Sequence, residues 1–526
     1  MRDKPIITAA QAARLVQDGW TLTTGGFGSC GHPDVLTRAL AKRFEEEALP
    51  RDLTLVFAAG QGDKAQRGLN CLALDGLLKR AIGGYWALTP SLGRMASEGT
   101  LEAYNWPQGV ISHLFRAIAG RKPGVITQVG IGTFIDPRCG SGKLSESCSE
   151  DLIEVIEIGG QEQLFYPAFP IQCAFLRGTR ADRFGNITME AEANFQDSLA
   201  QAQAVHNSGG IVIVQVLDVV ESNTLFPHEV RIPGIFVDYL VLAAENEHWQ
   251  TYAERYNPAY SGMWNPIRLT ADSFELTPKK IIARRAFREA RSTPGIPVIN
   301  LGIGTPEYIA KVVTEESDDR LILTIESGVI GGSPASGLSF GAAKNPQAIL
   351  DQPSQFDFYD GGGIDVAFLG CGEVDGAGNV NISKLRDRIN GVGGFVNISQ
   401  ASKKVVFCMP FTSGGLEIAV EGASLRIVRE GSIRKFVDRV EQISFNAARS
   451  RALGQRVMYI TERAVFELEE DGLLLTELAR GIDVERDVLA HSNARIRVSN
   501  ALKMMPMALF LDRPMSVTDA FAEYST

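Results

Sequence analysis

Short apolar, β-branched runs alternate with amphipathic stretches along this chain. Leu321-Ile322-Leu323-Thr324-Ile325, Ile211-Val212-Ile213-Val214, Val405-Val406-Phe407-Cys408 and Pro297-Val298-Ile299-Asn300-Leu301 each read as a buried strand. Thr8-Ala9-Ala10-Gln11 has the form of a capping box and predicts a helix to about Asp18, ended by Gly19. Thr277-Pro278 supplies an N-cap and a proline at the first helical position, predicting a second helix to about Ala290. Each helix leads through a strand into a glycine turn: Gly25-Gly26-Phe27-Gly28 after the first, Gly302-Ile303-Gly304-Thr305 after the second.

This order recurs because the chain repeats itself. Arg183-Phe184-Gly185-Asn186-Ile187-Thr188 resembles Gly376-Ala377-Gly378-Asn379-Val380-Asn381, and the runs at Ile211 and Val405 follow at nearly the same offset. Gly130-Ile131-Gly132-Thr133 aligns upstream with Glu326-Ser327-Gly328-Val329. Two related α/β domains are expected, 1–270 and 271–526, each an open, mainly parallel sheet with helices on both faces. The join falls in the polar stretch between Trp264 and Thr277. Since the second half has Glu326 where the first has Gly130, one active site between the related lobes is expected.

Composition narrows the function classes. With 526 residues, the chain is too long for a single core. Its net charge of −10, without a basic tract, argues against nucleic acid or an anionic membrane as partner. No apolar stretch is long enough to span a bilayer, and the N-terminus lacks an apolar signal core. The seven cysteines include no CxxC pair, which fits a reduced, cytoplasmic setting. The six histidines are scattered, so no metal site is expected.

Glu326 stands out chemically. It ends a predicted buried strand and is followed by Gly328, Gly331 and Gly332. Glutamate is seldom buried without a partner or a task. Neighbouring glycines let backbone amides approach a ligand, and ligands of open α/β sheets bind at the carboxyl ends of strands. On the residues alone, a working carboxylate and a solvated surface glutamate remain equal readings, as do nucleophile and general base.

Gly25-Gly26-Phe27-Gly28-Ser29-Cys30-Gly31-His32-Pro33 resembles the GGFxxxGxP signature of the family I CoA-transferases. Glu326-Ser327-Gly328 is similar to that family's catalytic ENG turn, with serine replacing asparagine. Gly391-Val392-Gly393-Gly394 resembles its GxGG turn, and Pro107-Gln108-Gly109 its PQG element. The long single chain looks like the members that fuse the α and β parts and act on short-chain acyl groups, the acetate and propionate CoA-transferases.

The resemblance implies catalysis through a glutamyl-CoA thioester on Glu326, with the Gly394 amide and the Gln108 side chain as oxyanion donors. It places Gly25, Gly26, Phe27 and Gly393 along the CoA cleft; Gly130, Gly132, Gly302 and Gly304, as paired strand-end turns, are expected to line the same cleft. It also implies acyl-CoA and short-chain carboxylates as substrates, no permanently bound cofactor, and a homo-oligomeric assembly, dimer or tetramer. The glycine turn at Gly25 lacks GxGxxG spacing, which disfavours a dinucleotide site. An acyl-CoA hydrolase and a non-catalytic CoA or metabolite sensor on the same fold remain as alternatives.

Overall fold

The computed structural model describes residues 2–262, 274–318 and 320–515. These form two compact units. The first comprises the described residues up to 262 with Ile325–Phe358 and Arg386–Asn397; the second comprises the rest. The units therefore do not follow the duplication, since segments from the second half, Glu326 among them, pack within the first unit. The expected join near residue 270 lies outside the described residues.

The first unit is built on a seven-stranded sheet. Its spatial order is Tyr239–Leu242, Ile211–Val216, Cys173–Arg177, Thr21–Thr24, Leu53–Phe57, Leu78–Gly83, Glu102–Asn105, and every neighbouring pair is parallel. Both faces are covered, so the central strands are buried almost throughout. Trp86 packs edge-on against Phe57 at 5.4 Å, and both are fully buried. Side chains of this size each contribute roughly 1.5–3 kcal/mol on burial.

The second unit carries a sheet in the order Ile322–Thr324, Val298–Leu301, Val366–Gly370, Lys404–Cys408, Arg456–Ile460, again parallel. Antiparallel strands Ala464–Glu469 and Gly472–Leu478 extend it. The predicted helix is Pro278–Arg291, with Thr277 Oγ1 accepting from the Lys280 amide. Its Lys280 and Arg284 are buried and paired with Glu315, and Arg285 with Glu477.

The N-terminal capping box makes both of its reciprocal bonds, but its helix stops at Leu15, short of Asp18, because Val16 is extended. The internal repeat is borne out by the Gly-Asn turns. The Asn186 amide donates to Asp182 Oδ1 at 3.0 Å, and its side-chain amide donates to Asp182 Oδ2 at 2.9 Å. Asn379 repeats this on Asp375 at 3.0 and 3.1 Å. Gly185 and Gly378 both have positive φ, +83° and +90°.

The pairing of Gly130 with Glu326 is corrected. Gly130 follows Gly124–Thr127, which belongs to a small antiparallel sheet with Gln161–Pro167. Glu326 instead follows a parallel strand that neighbours Val298–Leu301 as Leu53–Phe57 neighbours Thr21–Thr24. The topological counterpart of the Glu326 strand is thus Leu53–Phe57; a glycine turn common to many strand ends gave the false match. Among the described residues, no helix is long and apolar enough to cross a membrane.

Candidate active site

Glu326 lies two residues past the strand Ile322–Thr324, in a tight turn closed by Gly328 N–H donating to Ile325 O at 3.1 Å and Ile325 N–H donating to Val329 O at 3.0 Å. The side chain is only 8% exposed, which removes the solvated-surface reading. Gly328 has φ +103°, and a Cβ there would stand 2.1 Å from Leu350 O, so the turn admits only glycine. Ser327, fully buried, donates through Oγ to Gly341 O at 2.7 Å.

Gly341 leads to the glycine loop of the signature. Phe27 stacks on Phe340 with centroids 6.0 Å apart, and a Cβ on Gly28 would lie 2.8 Å from Phe340 O. Gly25, directly after the strand Thr21–Thr24, donates to Phe175 O of the neighbouring strand at 2.8 Å, and Gly26, at φ +132°, lies against the Gln61 side chain. Gly25, Gly26 and Phe27 are all buried.

A second assembly surrounds Gln108, the first residue of the helix Gln108–Ala119 and 3% exposed. Its backbone N–H donates to Gly393 O at 2.9 Å, while Gly393 N–H donates to Gly84 O at 2.8 Å. Asn105 fastens the same turn: its Oδ1 accepts from Val392 N–H at 3.0 Å and its Nδ2 donates to Gly83 O and Gly84 O. Gly391 runs against Tyr85 as an isolated β-bridge, and a Cβ on it would meet Trp86 at 2.5 Å. Gly394 is buried and immediately precedes the helix Phe395–Ala401. Gln108 Nε2 is buried and has no hydrogen-bond partner among the described residues. A buried amide left in that state is costly unless a ligand engages it.

The two assemblies are tied through one segment. Leu350 N–H donates to Gly328 O at 2.8 Å, and Gln352 Nε2 donates to Ser112 Oγ at 2.7 Å. Ser112 stands one turn beyond Gln108 on the same helix face. The first unit therefore holds Glu326, Gln108, Gly393, Gly394 and the Gly25–Phe27 loop together.

The other glycines differ in setting. Gly130 packs under Tyr166 and accepts through its carbonyl from Thr133, and Gly132 donates to Asp136 Oδ2. These bonds belong to a turn fixed by its own side chains. Gly302 and Gly304 lie in the second unit at the end of Val298–Leu301, where the Gly304 amide donates to Glu307.

Nearby ionisable groups are tuned by burial. Burial pushes the Cys30 thiol up to about 12, which disqualifies it as a thiolate nucleophile. Burial likewise lowers His32, bonded to Gln61 and Thr37, favouring the neutral imidazole. Glu192 would be raised by burial, but Arg177 at 3.0 Å and His248 at 3.2 Å outweigh that and hold it at about 2. Asp197, which accepts from Gln352 Nε2 at 2.8 Å, is raised by burial to about 7. Among the described residues, no cluster of three or more histidine, cysteine or acidic side chains is placed to hold a metal.

Sequence reasoning missed Asn105, Gly84, Gly341 and Asp197. Asn105 stands two residues before the Pro107-Gln108-Gly109 element, but a side chain that clamps a remote turn leaves no periodic signal.

Residues 6–243 match the family model described as Coenzyme A transferase. The chain is 42% identical over 514 residues to the Acetate CoA-transferase YdiF of Escherichia coli (strain K12), covering 97% of this chain and 96% of that protein. It is 40% identical over 514 residues to the Caffeate CoA-transferase of Acetobacterium woodii, covering 96% and 97%. The crystal structure of the acyl-CoA transferase YdiF from E. coli O157:H7, a thioester complex with CoA, superposes with a TM-score of 0.92 at 40% identity, over 98% of this chain and 97% of that one.

Proposed function

For a chain that belongs to the coenzyme A transferase family, we propose that its reaction moves CoA from a short-chain acyl-CoA to a short-chain carboxylate, of the acetate and propionate class, through a glutamyl-CoA thioester on Glu326. The observation that carries this reading is the burial of Glu326 in a glycine turn within the unit that also holds the buried Gln108 side-chain amide, whose Nε2 has no hydrogen-bond partner among the described residues. The thioester complex of the YdiF protein agrees with it.

Exchanging one thioester for another needs no external energy source; the obstacle is that a carboxylate is a poor nucleophile and a poor leaving group. A protein carboxylate divides the exchange into covalent steps. Glu326 attacks the thioester carbonyl and expels CoA thiolate, leaving a mixed anhydride. The thiolate then attacks the glutamyl carbonyl, giving the enzyme thioester and the free acid. The second carboxylate reverses both steps.

Each tetrahedral intermediate carries an oxyanion. Gln108 Nε2 and the Gly394 amide serve as its donors, Gln108 held by the Gly393 carbonyl and the Asn105 clamp. The Gly25–Phe27 loop supplies close backbone approach to the CoA arm.

The test is a panel of acyl-CoA donors against short carboxylates, with water as the control acceptor. The reading expects parallel-line kinetics in both substrates and a hydrolysis rate far below transfer. Hydrolysis as fast as transfer contradicts it in favour of a hydrolase; no consumption of any acyl-CoA contradicts catalysis itself.

A further inference from the structure

Residues Asn194 to Asp197 form a buried turn that the functional reading leaves without a task. Gln196 is 1% exposed and holds φ at +56°, a conformation that few non-glycine residues adopt. Its carboxamide fits where two signature glycines lack side chains. An ideal Cβ on Gly25 would lie 3.2 Å from Gln196 Oε1, and one on Gly31 would lie 1.7 Å from Gln196 Nε2. Yet Gln196 Oε1 has no hydrogen-bond partner among the described residues, and neither does Oδ1 of Asn194.

The turn is fixed to the Glu326 loop by two bonds. Asn194 Nδ2 donates to Gly341 O at 3.0 Å, the same oxygen that accepts from Ser327, the residue after Glu326. Gln196 O accepts from the Gln352 amide at 2.8 Å, two residues after Leu350, which bonds Gly328. A strained backbone thus aims a buried, unsatisfied acceptor at the glycine loop, beside the residues that hold the nucleophile's turn.

We propose that Gln196 is a substrate-positioning residue whose carboxamide oxygen, seated against Gly25 and Gly31, accepts a hydrogen bond from an N–H or O–H donor of the acyl-CoA substrate. The inference rests on the CoA-transfer reading. Carboxylate and thioester groups carry no such donor. It comes either from an amide N–H of the pantetheine arm or from a hydroxyl on the acyl chain. A site that hydrogen-bonds a substrate group discriminates strongly against substrates lacking it, because its own polar group is then left unpaired.

Gln196→Met keeps the side-chain length and removes both polar atoms. The test measures kcat/KM for the wild type and this variant on four substrates: an acyl-CoA, a hydroxyacyl-CoA, and the same two acyl groups on a short thiol without amides. A pantetheine donor predicts a loss of about tenfold with both CoA esters and none with the short thioesters. An acyl hydroxyl predicts the same loss with both hydroxyacyl substrates alone. The melting temperature holds or rises in either case, since a buried unpaired group has been removed. Equal kcat/KM on all four substrates overturns the inference, and so does an equal loss on all four, which is the mark of a structural residue. Calorimetric binding of CoA and of a 2-hydroxy acid to both proteins reads the contact without turnover. A wild type that binds but transfers nothing then counts against the functional reading alone, and unchanged binding of both ligands by the variant counts against Gln196.

Discussion

The Gln108 backbone N–H donates to the Gly393 carbonyl at 2.9 Å, so a helix start from the first half of the chain and a glycine turn from the second half set each other's position. An ideal Cβ on Gly393 would lie 3.5 Å from Gln108 Oε1. The turn therefore brings backbone to the side of a carboxamide whose nitrogen has no hydrogen-bond partner among the described residues. This is how an oxyanion donor can be held rigid without its hydrogen being used up by the protein.

Gln108→Leu separates catalysis from stability. The backbone bond to Gly393 persists, and a buried unpaired amide is replaced by an apolar group of similar size. We expect kcat to fall about 10²–10³-fold, the effect of losing one oxyanion donor, with the melting temperature unchanged or raised. A stable variant with normal kcat counts against the role; calorimetry beside steady-state kinetics decides.

Gly391→Ala and Gly393→Ala part in the opposite direction. At Gly391, with φ +67°, a Cβ would collide with Trp86 at 2.5 Å and Gly84 O at 2.7 Å. This variant should lose more than about 2 kcal/mol of stability in denaturant unfolding. At Gly393 the nearest atoms are 3.4 Å away, so the main penalty is the positive φ of +53°, about 1 kcal/mol. Gly393→Ala should fold and lose activity through its contact with Gln108. Equal destabilisation of the two would contradict this account of the turn.

Asp197 gives the stability a signature in pH. Burial raises its folded pKa to about 7, against about 3.9 in an unfolded chain. Below about pH 4 both states hold the proton and the group contributes nothing. Between about pH 4 and 7 the folded state keeps a proton that the unfolded state has released, so its share of stability falls as pH rises. Above about pH 7 the full penalty of a buried carboxylate applies. The Asp197 side chain makes no capping bond to its helix, so Asp197→Asn loses none. The variant should melt above wild type at about pH 8, with the difference closing towards about pH 4. A difference that stays constant with pH would contradict the assignment.

Much of the fold was legible because local chemistry repeats in sequence. The Thr8 capping box, the Thr277 cap and the paired Gly-Asn turns all have the bonds their residues predict. Gly130 misled because a Gly-x-Gly turn ends antiparallel as well as parallel strands, and only pairing distinguishes them. The Glu326 turn was visible as a carboxylate between a predicted buried strand and three glycines, but the residues alone left it level with a solvated glutamate, and its burial is seen only in the fold. Asn105 and Gln196 were not visible. One acts by clamping a turn far along the chain and the other by filling the space of two absent side chains, relationships that exist only after folding.

The central claim is that Glu326 carries CoA. Incubating the protein with acyl-CoA alone, without an acceptor acid, and digesting it should yield the peptide containing Glu326 with the added mass of CoA. Borohydride should convert that thioester to the alcohol, and Glu326→Gln should give neither product while folding normally. A preparation that turns over but shows an unmodified Glu326 peptide throughout, or a CoA adduct on another residue, would contradict the account.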